Sequence, residues 1–263
     1  IWIGTKDGLN RYNGTDFYVF RPVKGDKNSL YNNNIGTICG DKQGHIYIRC
    51  KYAVVEYDIK KNTFHTIRDN DIQAITYDNA RLWVCTRDSL FTYNRVEDRL
   101  DYYYNLEGAR MSCVIEDSDG NLYVGTMNNG LYMIDHNKKW LNYFPKKDIT
   151  CIYEDSKKSI WVGTKDDGLF RLDRNGGITN YGTAPHQNML SSSYVRCVVE
   201  DNLGNYWIGT FKGLDKLDVT TGTFTHYSKD NKPYSLSNSS IICMMKDRQG
   251  TFWIGTYYGG VNL

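Results

Sequence analysis

The sequence lacks the features that mark a membrane-spanning or nucleic-acid-binding chain. No apolar run among its 263 residues approaches the roughly 18 residues of a membrane-spanning helix. The formal net charge is only +2 and there are no charge blocks, so we do not expect contact with nucleic acid. Proline is also scarce, at 4 residues, whereas tyrosine (22) and glycine (24) are abundant. This composition is typical of an all-β protein.

Motifs for catalysis and for cofactor or metal binding are missing as well. The chain has no G-x-S-x-G elbow, P-loop or dinucleotide fingerprint. None of its seven cysteines has the C-x-x-C spacing of a zinc or redox site. We therefore predict no catalytic residue, no cofactor and no metal site. The histidines share neither a common position in the sequence pattern nor a metal-ligand spacing: His45, His65, His136, His186 and His226.

What the chain does have is a tetrapeptide that returns throughout its length: an aromatic residue, a β-branched residue, glycine and threonine. Successive copies are 45, 36, 40, 38, 46 and 46 residues apart. The second copy, YIRC, is degenerate, and Cys85 replaces the glycine of the third. A period near forty residues indicates a repeat architecture. The aromatic anchors of the seven copies are Trp2, Tyr47, Trp83, Tyr123, Trp161, Trp207 and Trp253.

Each repeat is predicted to fold into four short strands joined by hairpins. In the copy at residues 150–181, the segments TCIYED, IWVGT, GLFRLD and ITNY are separated by turn residues. An aspartate six residues before the anchor, usually followed by glycine three residues later, is suited to a turn with one left-handed residue. The motif glycine suits the close approach of a neighbouring backbone, and the anchor aromatic supplies packing between sheets.

A four-stranded sheet with two apolar faces must bury both, and radial stacking of such sheets gives a β-propeller. We predict an all-β fold, a propeller with seven blades of antiparallel meander sheets, as a single domain over residues 1–263. Six or eight blades would also fit if blade length varies. The first blade lacks its leading strand and the last stops within its third strand. We therefore interpret the chain as a segment of a longer multidomain protein.

The cysteines are predicted to be buried, unpaired thiols. Four of them stand ten residues before an anchor, at one position of successive repeats: Cys113, Cys151, Cys197 and Cys243. Equivalent positions of a repeat are expected to be too far apart for a disulfide. Cysteine behaves as a small hydrophobic residue in such places.

The pattern D-x-x-G-x-x-W-I-G-T-x-x-G-L-x-R-Y resembles the two-component regulator propeller repeat. It is seen in WIGTKDGLNRYNG from Trp2 and in EDNLGNYWIGTFKGLDKL from Glu200. The resemblance covers essentially the whole chain. These repeats form the sensor regions of hybrid two-component systems in gut Bacteroides and relatives.

The resemblance implies a periplasmic sensory propeller that is not itself an enzyme. In the family, the propellers precede a transmembrane helix, a histidine kinase and a response regulator with a DNA-binding domain. Such sensors typically recognise oligosaccharides released from glycans. The resemblance thus implies an oligosaccharide ligand, an adjacent propeller and further sensor domains in the same chain. It also implies a homodimer and an anchor in the inner membrane for the full-length protein.

Candidate binding residues come from the positions where the repeats differ. The turns between the second and third strands and the blade-to-blade connections are predicted to share one rim. Arg49 replaces the motif glycine, while Arg110 and Arg196 begin innermost strands and could point into the central channel or pair with a neighbouring carboxylate. Aromatic rings stack on sugar faces, and Arg or Lys can pair with a carboxylate or sulfate. The candidates are Arg49, Tyr52, Arg87, Arg110, Lys165, Arg196, Phe211, Lys212, Tyr257 and Tyr258.

Two other functions are compatible with a propeller. The rim could dock an adjacent propeller or subunit, with Phe211, Tyr257 and Tyr258 as the start of an apolar patch. A lyase or glycoside hydrolase would instead need unrepeated carboxylates near the axis. The repeated Glu-Asp pairs that begin at Glu116, Glu154 and Glu200 are interpreted as structural, because they recur at one position beside a turn.

Overall fold

The computed structural model describes residues 1–182 and 189–263. Every regular element in this part of the chain is a β-strand, and the strands form seven antiparallel sheets. Neighbours in sequence are neighbours in each sheet, as the predicted meander requires. The fold is a seven-bladed β-propeller. Within the described residues, no helix has the length and apolar character that crossing a membrane requires.

The chain divides into two compact units, and the first comprises Ile1–Glu116. Its strands are β1 (Trp2–Thr5), β2 (Gly8–Tyr12), β3 (Phe17–Phe20), β4 (Ile35–Gly40), β5 (His45–Cys50), β6 (Ala53–Asp58), β7 (Thr63–Arg68), β8 (Ala74–Asp78), β9 (Arg81–Cys85), β10 (Ser89–Asn94), β11 (Arg99–Asn105) and β12 (Arg110–Glu116). Sheet 1 contains β1 to β3, sheet 2 contains β4 to β7 and sheet 3 contains β8 to β11.

The second unit comprises Asp117–Leu263. Its strands are β13 (Leu122–Met127), β14 (Leu131–Ile134), β15 (Trp140–Tyr143), β16 (Ile149–Glu154), β17 (Ile160–Thr164), β18 (Leu169–Leu172), β19 (Ile178–Tyr181), β20 (Val195–Glu200), β21 (Tyr206–Thr210), β22 (Leu214–Asp218), β23 (Thr223–Tyr227), β24 (Ile241–Lys246), β25 (Phe252–Thr256) and β26 (Gly260–Asn262). Sheets 4 to 7 begin at β12, β16, β20 and β24. Sheets 1 and 7 have three strands each, which confirms that the first and last blades are incomplete.

The aspartate before each anchor closes the turn between the first and second strands, as predicted. In sheet 5, one carboxylate oxygen of Asp155 accepts the backbone N–H groups of Lys157 and Ser159, at 2.9 and 2.7 Å. The glycine three residues after the aspartate supplies a positive φ, between +81° and +114°, in the four turns that contain it. These glycines are Gly44, Gly120, Gly204 and Gly250.

The same aspartate also fixes the anchor aromatic, a contact that the sequence did not indicate. The indole N–H of Trp161 donates to the second carboxylate oxygen of Asp155 at 2.9 Å. Trp207 and Trp253 make the equivalent bonds to Asp201 and Asp247, at 3.2 and 2.9 Å. The aspartate stands six residues before the anchor because the hairpin then brings its carboxylate within hydrogen-bond distance of the anchor's indole N–H.

The motif glycine allows close approach, but of side chains rather than of a neighbouring backbone. A Cβ added at Gly209 would lie 2.5 Å from the Cys197 sulfur and 2.6 Å from a methyl carbon of Ile241. Cys197 belongs to the same sheet and Ile241 to the next one. Gly163 meets Cys151 and Val195 in the same way. The glycine thus makes room for the thiol of its own sheet and for the first strand of the following sheet.

The cysteines are all free, but the prediction that every one is buried was wrong. Cys50 and Cys85 are buried, four are partly exposed, and Cys243 is exposed. Ile241 covers the motif glycine of sheet 6, and Val195 covers that of sheet 5. At Gly255 in sheet 7 the close contacts come only from Cys243 itself. Because no later sheet follows in the second unit, the Cys243 side of sheet 7 lacks this cover.

We expect Gly209→Ala to destabilise the protein by about 1–3 kcal/mol, because its methyl group would overlap Cys197 and Ile241. Gly182→Ala is the control, since among the described residues the nearest atom to an added Cβ there is the side-chain oxygen of Asn180, 3.7 Å away. Urea unfolding of both variants measures the difference. Equal midpoints for the two variants would contradict the packing argument.

The hydrogen bond from Trp253 to Asp247 should affect the pKa of Asp247, which an NMR titration can measure. The indole N–H of Trp253 is the main cause that holds the pKa of Asp247 below its ordinary value, with backbone N–H groups of the turn adding to it. A carboxyl with a lowered folded-state pKa stabilises the fold at neutral pH, and that contribution disappears as pH falls through the folded pKa. Trp253→Phe should raise the pKa of Asp247 in an NMR titration, whereas Trp140→Phe, on an outer strand, should leave it unchanged.

Candidate functional site

The second-to-third-strand turn lies at the same end of its sheet as the segment that enters the first strand. In sheets 6 and 7, the backbone N–H groups of Phe211 and Tyr257 donate to the carbonyls of Tyr194 and Ser240, at 3.0 and 2.9 Å. Sheets 2 and 5 have the equivalent bonds. We call this end of each sheet its variable end. In sheets 2, 5, 6 and 7 the turn between the second and third strands and the blade-to-blade connection therefore lie at the same end of the sheet, as predicted.

The motif threonine holds the turn at the variable end, a role that sequence reasoning missed. The hydroxyl groups of Thr164 and Thr210 donate to the carbonyls of Gly168 and Gly213, at 2.8 and 2.9 Å. Both threonines are completely buried. The exposed residues of these turns thus lie on a backbone that the buried threonine hydroxyl groups hold in place.

Arg196 and Phe211 meet at the variable end of sheet 6. The Arg196 guanidinium carbon lies 4.7 Å from the ring centre of Tyr194 and 5.2 Å from that of Phe211. The two rings are nearly parallel, with centres 6.1 Å apart. Tyr194 was not among the predicted residues, although it ends one of the long connections. Its position opposite Phe211 in the hairpin is the signal that could have identified it.

Arg196 also links this group to sheet 7. Its Nη1 donates to the Ser240 hydroxyl at 2.9 Å and to the Ile241 carbonyl at 3.1 Å. Arg196 was expected to reach the channel or a carboxylate of the next blade; its acceptors are instead a hydroxyl and a carbonyl. The Ser240 carbonyl in turn accepts the Tyr257 N–H, so the Arg196 side chain and the Tyr257 backbone share Ser240 as a partner at the variable ends of sheets 6 and 7.

Tyr257 and Tyr258 form an exposed aromatic pair beside this group. Their ring centres are 4.4 Å apart in an edge-to-face arrangement, and Tyr258 is 81% exposed. Tyr258 has a φ of +52°, in the left-handed region that non-glycine residues seldom occupy. The turn therefore holds the Tyr258 ring outward at a conformational cost.

The two lysines predicted in the second unit are less suited to bind a ligand. The Lys165 ammonium lies 3.8 Å from the Asp148 carboxylate, so its charge already has a partner. Lys212 is exposed next to Phe211, and its backbone N–H donates to the Thr210 hydroxyl at 3.2 Å. Lys212 belongs to the Arg196 group by position, whereas Lys165 lies at the variable end of sheet 5.

In the first unit, Arg49 and Tyr52 lie at the variable end of sheet 2. Arg49 is half-buried, and its Nη1 donates to the Lys51 carbonyl at 3.0 Å. Burial lowers the pKa of its guanidinium from the ordinary value. Tyr52 is 55% exposed, and the Lys51 ammonium lies 5.8 Å from the centre of its ring.

Arg87 and Arg110 come together elsewhere in the first unit. The backbone N–H of Met111 donates to the Arg87 carbonyl at 2.9 Å, which places the start of β12 beside the turn between β9 and β10. Both arginine side chains are exposed. The Arg87 N–H also lies 3.4 Å from the Asp71 carboxylate.

The repeated carboxylates hold neighbouring sheets together. Glu200 of sheet 6 accepts the backbone N–H and the hydroxyl of Ser156 in the Asp turn of sheet 5, both at 2.7 Å. Glu154 of sheet 5 makes the same pair of bonds to Ser118, at 2.9 and 2.8 Å. Glu116 accepts the Trp83 indole N–H at 2.7 Å. These contacts account for the Glu-Asp pairs as structural groups.

Other features of the described residues do not coincide with the candidate residues. A groove of about 600 Å³ in the first unit is lined by residues that include Arg11, Tyr18 and Ile59, none of them a candidate. Within residues 1–182 and 189–263, no group of three or more His, Cys, Asp or Glu side chains could hold a metal ion. His186 and half of the connection between Tyr181 and Tyr194, residues 183–188, lie outside the described residues.

Comparison with known families identifies the repeat. The sequence model of the family described as Two component regulator propeller matches four segments, at residues 105–128, 143–166, 189–212 and 235–258. Each segment ends in the turn at a variable end. The resemblance inferred from the anchors is thereby confirmed. No protein of curated function matches the sequence.

Solved structures share the fold over nearly the whole chain. The extracellular domain of a protein assigned to the hybrid two component systems of B. thetaiotaomicron superposes with a TM-score of 0.84 at 26% identity, over 99% of this chain and 37% of its own. A B. thetaiotaomicron extracellular domain assigned to a one component system superposes with a TM-score of 0.80 at 22% identity, over 99% of this chain and 36% of its own. This chain thus spans little more than a third of either. Virginiamycin B lyase from Staphylococcus aureus superposes with a TM-score of 0.75 at 12% identity, over 97% of this chain and 87% of its own. This similarity shows the fold alone.

If the Glu200 carboxylate is structural, its removal should lower the free energy of unfolding, and by more than removal of an equivalent carboxylate that is less buried. Glu200 is 6% exposed, so Glu200→Ala should lower the free energy of unfolding by about 2 kcal/mol, through loss of two charge-assisted hydrogen bonds. Glu154→Ala removes the same bonds at a more exposed site and should cost less than about 1 kcal/mol. Chemical denaturation tests both; a larger loss for Glu154→Ala would refute the assignment.

Proposed function

From the premise that the chain carries repeats of the Two component regulator propeller family, we propose that it is the ligand-binding propeller of an extracytoplasmic sensor that recognises an oligosaccharide. The observation that carries the proposal is the group of Tyr194, Arg196, Phe211 and Tyr257 at the variable ends of sheets 6 and 7. It combines flat apolar rings with a fixed cation, on turns whose backbone is held by buried threonines. Binding residues commonly lie on such loops above a rigid scaffold.

The chemistry of the group suits a sugar. Phe211 is 51% exposed and Tyr257 is 47% exposed, so each ring offers a face on which the C–H side of a pyranose can stack. Arg196 already uses Nη1 on Ser240 and Ile241, which fixes the guanidinium before a ligand arrives. Such preorganisation reduces the entropy lost on binding.

The sensor's output would be a change of pose between this propeller and its neighbours in a longer chain. A ligand shifts such an equilibrium only by its different affinity for the two poses. We place the propeller in the periplasm, followed by an inner-membrane anchor and a histidine kinase, with the full-length protein acting as a homodimer. In this proposal the propeller segment itself binds and does not catalyse; the similarity to extracellular domains of B. thetaiotaomicron systems supports this placement.

A docking surface is the second candidate, because Phe211, Tyr257 and Tyr258 expose three rings on adjacent sheets. The two functions differ in what loss of a ring would change. A sugar site loses affinity for a saccharide, whereas a docking site loses association with a neighbouring propeller or subunit.

The test is a thermal-shift screen of neutral and acidic oligosaccharides on the intact extracytoplasmic region, with calorimetry on each hit. A specific ligand should raise Tm by mass action. Phe211→Ala and Tyr257→Ala should each weaken its Kd by about tenfold, through loss of ring contacts. Trp140→Ala, an exposed aromatic on outer strand β15, is the matched control and should leave Kd unchanged.

Two results would overturn the oligosaccharide proposal. The first is silence of the intact region across the whole set of saccharides. The second is a hit whose Kd is the same in Phe211→Ala, Tyr257→Ala and the Trp140→Ala control. If the same ring variants instead weaken self-association in sedimentation experiments, the docking surface is the better account.

A further inference from the structure

Arg49 stands at the motif-glycine position, which is glycine in five of the other six copies and Cys85 in the third. In sheets 5 and 6 the motif glycine of the second strand lies against a cysteine of the first strand. In sheet 2 the second strand carries Arg49 instead, and the first strand has Thr37 at the cysteine position and Gly36 one residue before it. A Cβ added at Gly36 would lie 2.1 Å from Nη2 of Arg49. The guanidinium therefore rests directly on the backbone of the first strand.

The Arg49 charge has no compensating carboxylate among the described residues. Among the described residues its Nε is buried without a hydrogen-bond partner, and the Lys51 carbonyl, which accepts from Nη1, is the only acceptor of its guanidinium. The nearest acidic residues along the chain are engaged elsewhere: Glu56 binds Arg95 through two bonds of 3.0 Å, and Asp41 pairs with His45 and accepts backbone N–H groups of its turn. A half-buried cation without a counter-ion is costly to the fold.

Other groups at the variable end of sheet 2 complete a ligand-like environment. Lys51 has a φ of +56°, and its N–H donates to the Asn34 carbonyl at 2.8 Å, so its side chain starts beside Arg49. Lys51 and Tyr52 are both exposed, with the ammonium near the ring. The side-chain oxygen of Asn33, in the segment that enters β4, is buried and has no hydrogen-bond donor in the part of the chain that the structure describes.

We propose that Arg49, Lys51 and Tyr52 form a subsite for the oxyanion of an acidic saccharide, either a carboxylate or a sulfate ester. Arg49 supplies charge-assisted hydrogen bonds, Lys51 supplies a second cation, and Tyr52 supplies a stacking face. The inference rests on the proposed function and narrows the ligand class to sugars that carry a negative charge.

The decisive variant is Arg49→Gly, because it restores the glycine of the repeat. Removal of an uncompensated cation from the scaffold should leave Tm unchanged or raise it. Arg21→Gln is the control, because Arg21 is an exposed arginine of the same unit that pairs with Asp7 at 2.6 Å. Calorimetry on the intact extracytoplasmic region would compare size-matched neutral, uronic-acid and sulfated oligosaccharides, with inorganic sulfate as a minimal probe.

We expect charged saccharides to bind the wild type and Arg21→Gln equally, and Arg49→Gly about 10- to 100-fold more weakly. The uronic-acid and sulfated series identify which oxyanion is preferred. If Arg49→Gly lowers Tm and leaves affinity unchanged, Arg49 is a structural residue and the subsite is refuted.

The two proposals fail in different ways. Binding of neutral saccharides, with no preference for charge and no effect of Arg49→Gly, would refute the subsite and leave the sensor intact. Stabilisation by inorganic sulfate that Arg49→Gly abolishes, without binding of any saccharide, would keep the anion site and refute the oligosaccharide sensor. If no saccharide binds and inorganic sulfate does not bind either, both the subsite and the oligosaccharide sensor are refuted.

Discussion

The Asp-turn carboxylate is the interaction on which the packing of these sheets depends. In sheet 5, Asp155 is almost completely buried and accepts two backbone N–H groups, the Trp161 indole and, at 2.7 Å, the hydroxyl of Tyr206 in sheet 6. One side chain thus closes a hairpin, orients the anchor ring and contacts the next sheet. Because a buried carboxylate is costly when its partners are missing, we expect loss of any one of these contacts to weaken the packing of both sheets.

Around this point, sheets 5 and 6 are joined by contacts of different kinds. The Glu200 carboxylate is joined to the turn at Ser156 by two short hydrogen bonds. The Trp161 and Tyr206 rings pack with centres 4.1 Å apart. The motif glycine lets Val195 approach the second strand of sheet 5. Charge, aromatic packing and steric fit therefore act on the same pair of sheets, which leaves the variable ends free to differ in sequence.

The fold was largely predictable from the sequence because its determinants are local. The aspartate and its anchor, the turn glycines and the alternating strands of one sheet all lie within about forty residues. The sequence of each repeat therefore determines its own sheet. The bonds from Trp161 to Asp155 and from Thr164 to Gly168 were not predicted, because spacing alone does not tell which polar side chain a hairpin brings together.

The candidate site was predicted less completely, since it depends on contacts between repeats. Phe211, Arg196 and Tyr257 were named from their positions, but Tyr194 and Ser240 join them only through the pairing of strands and sheets. Arg49 was named as a departure from the motif. Its meaning depended on Gly36, which lies thirteen positions earlier and becomes its neighbour only in the hairpin. Cys243, expected in the core, is exposed because burial depends on a following sheet.

The contact between Gly36 and Arg49 also makes these two positions interdependent. A Cβ added at position 36 would lie 2.1 Å from Nη2, at the flexible end of the arginine side chain, so the guanidinium rather than the backbone would move. A substitution on β4 would therefore redirect the positive charge at the variable end of sheet 2 without any change to Arg49 itself.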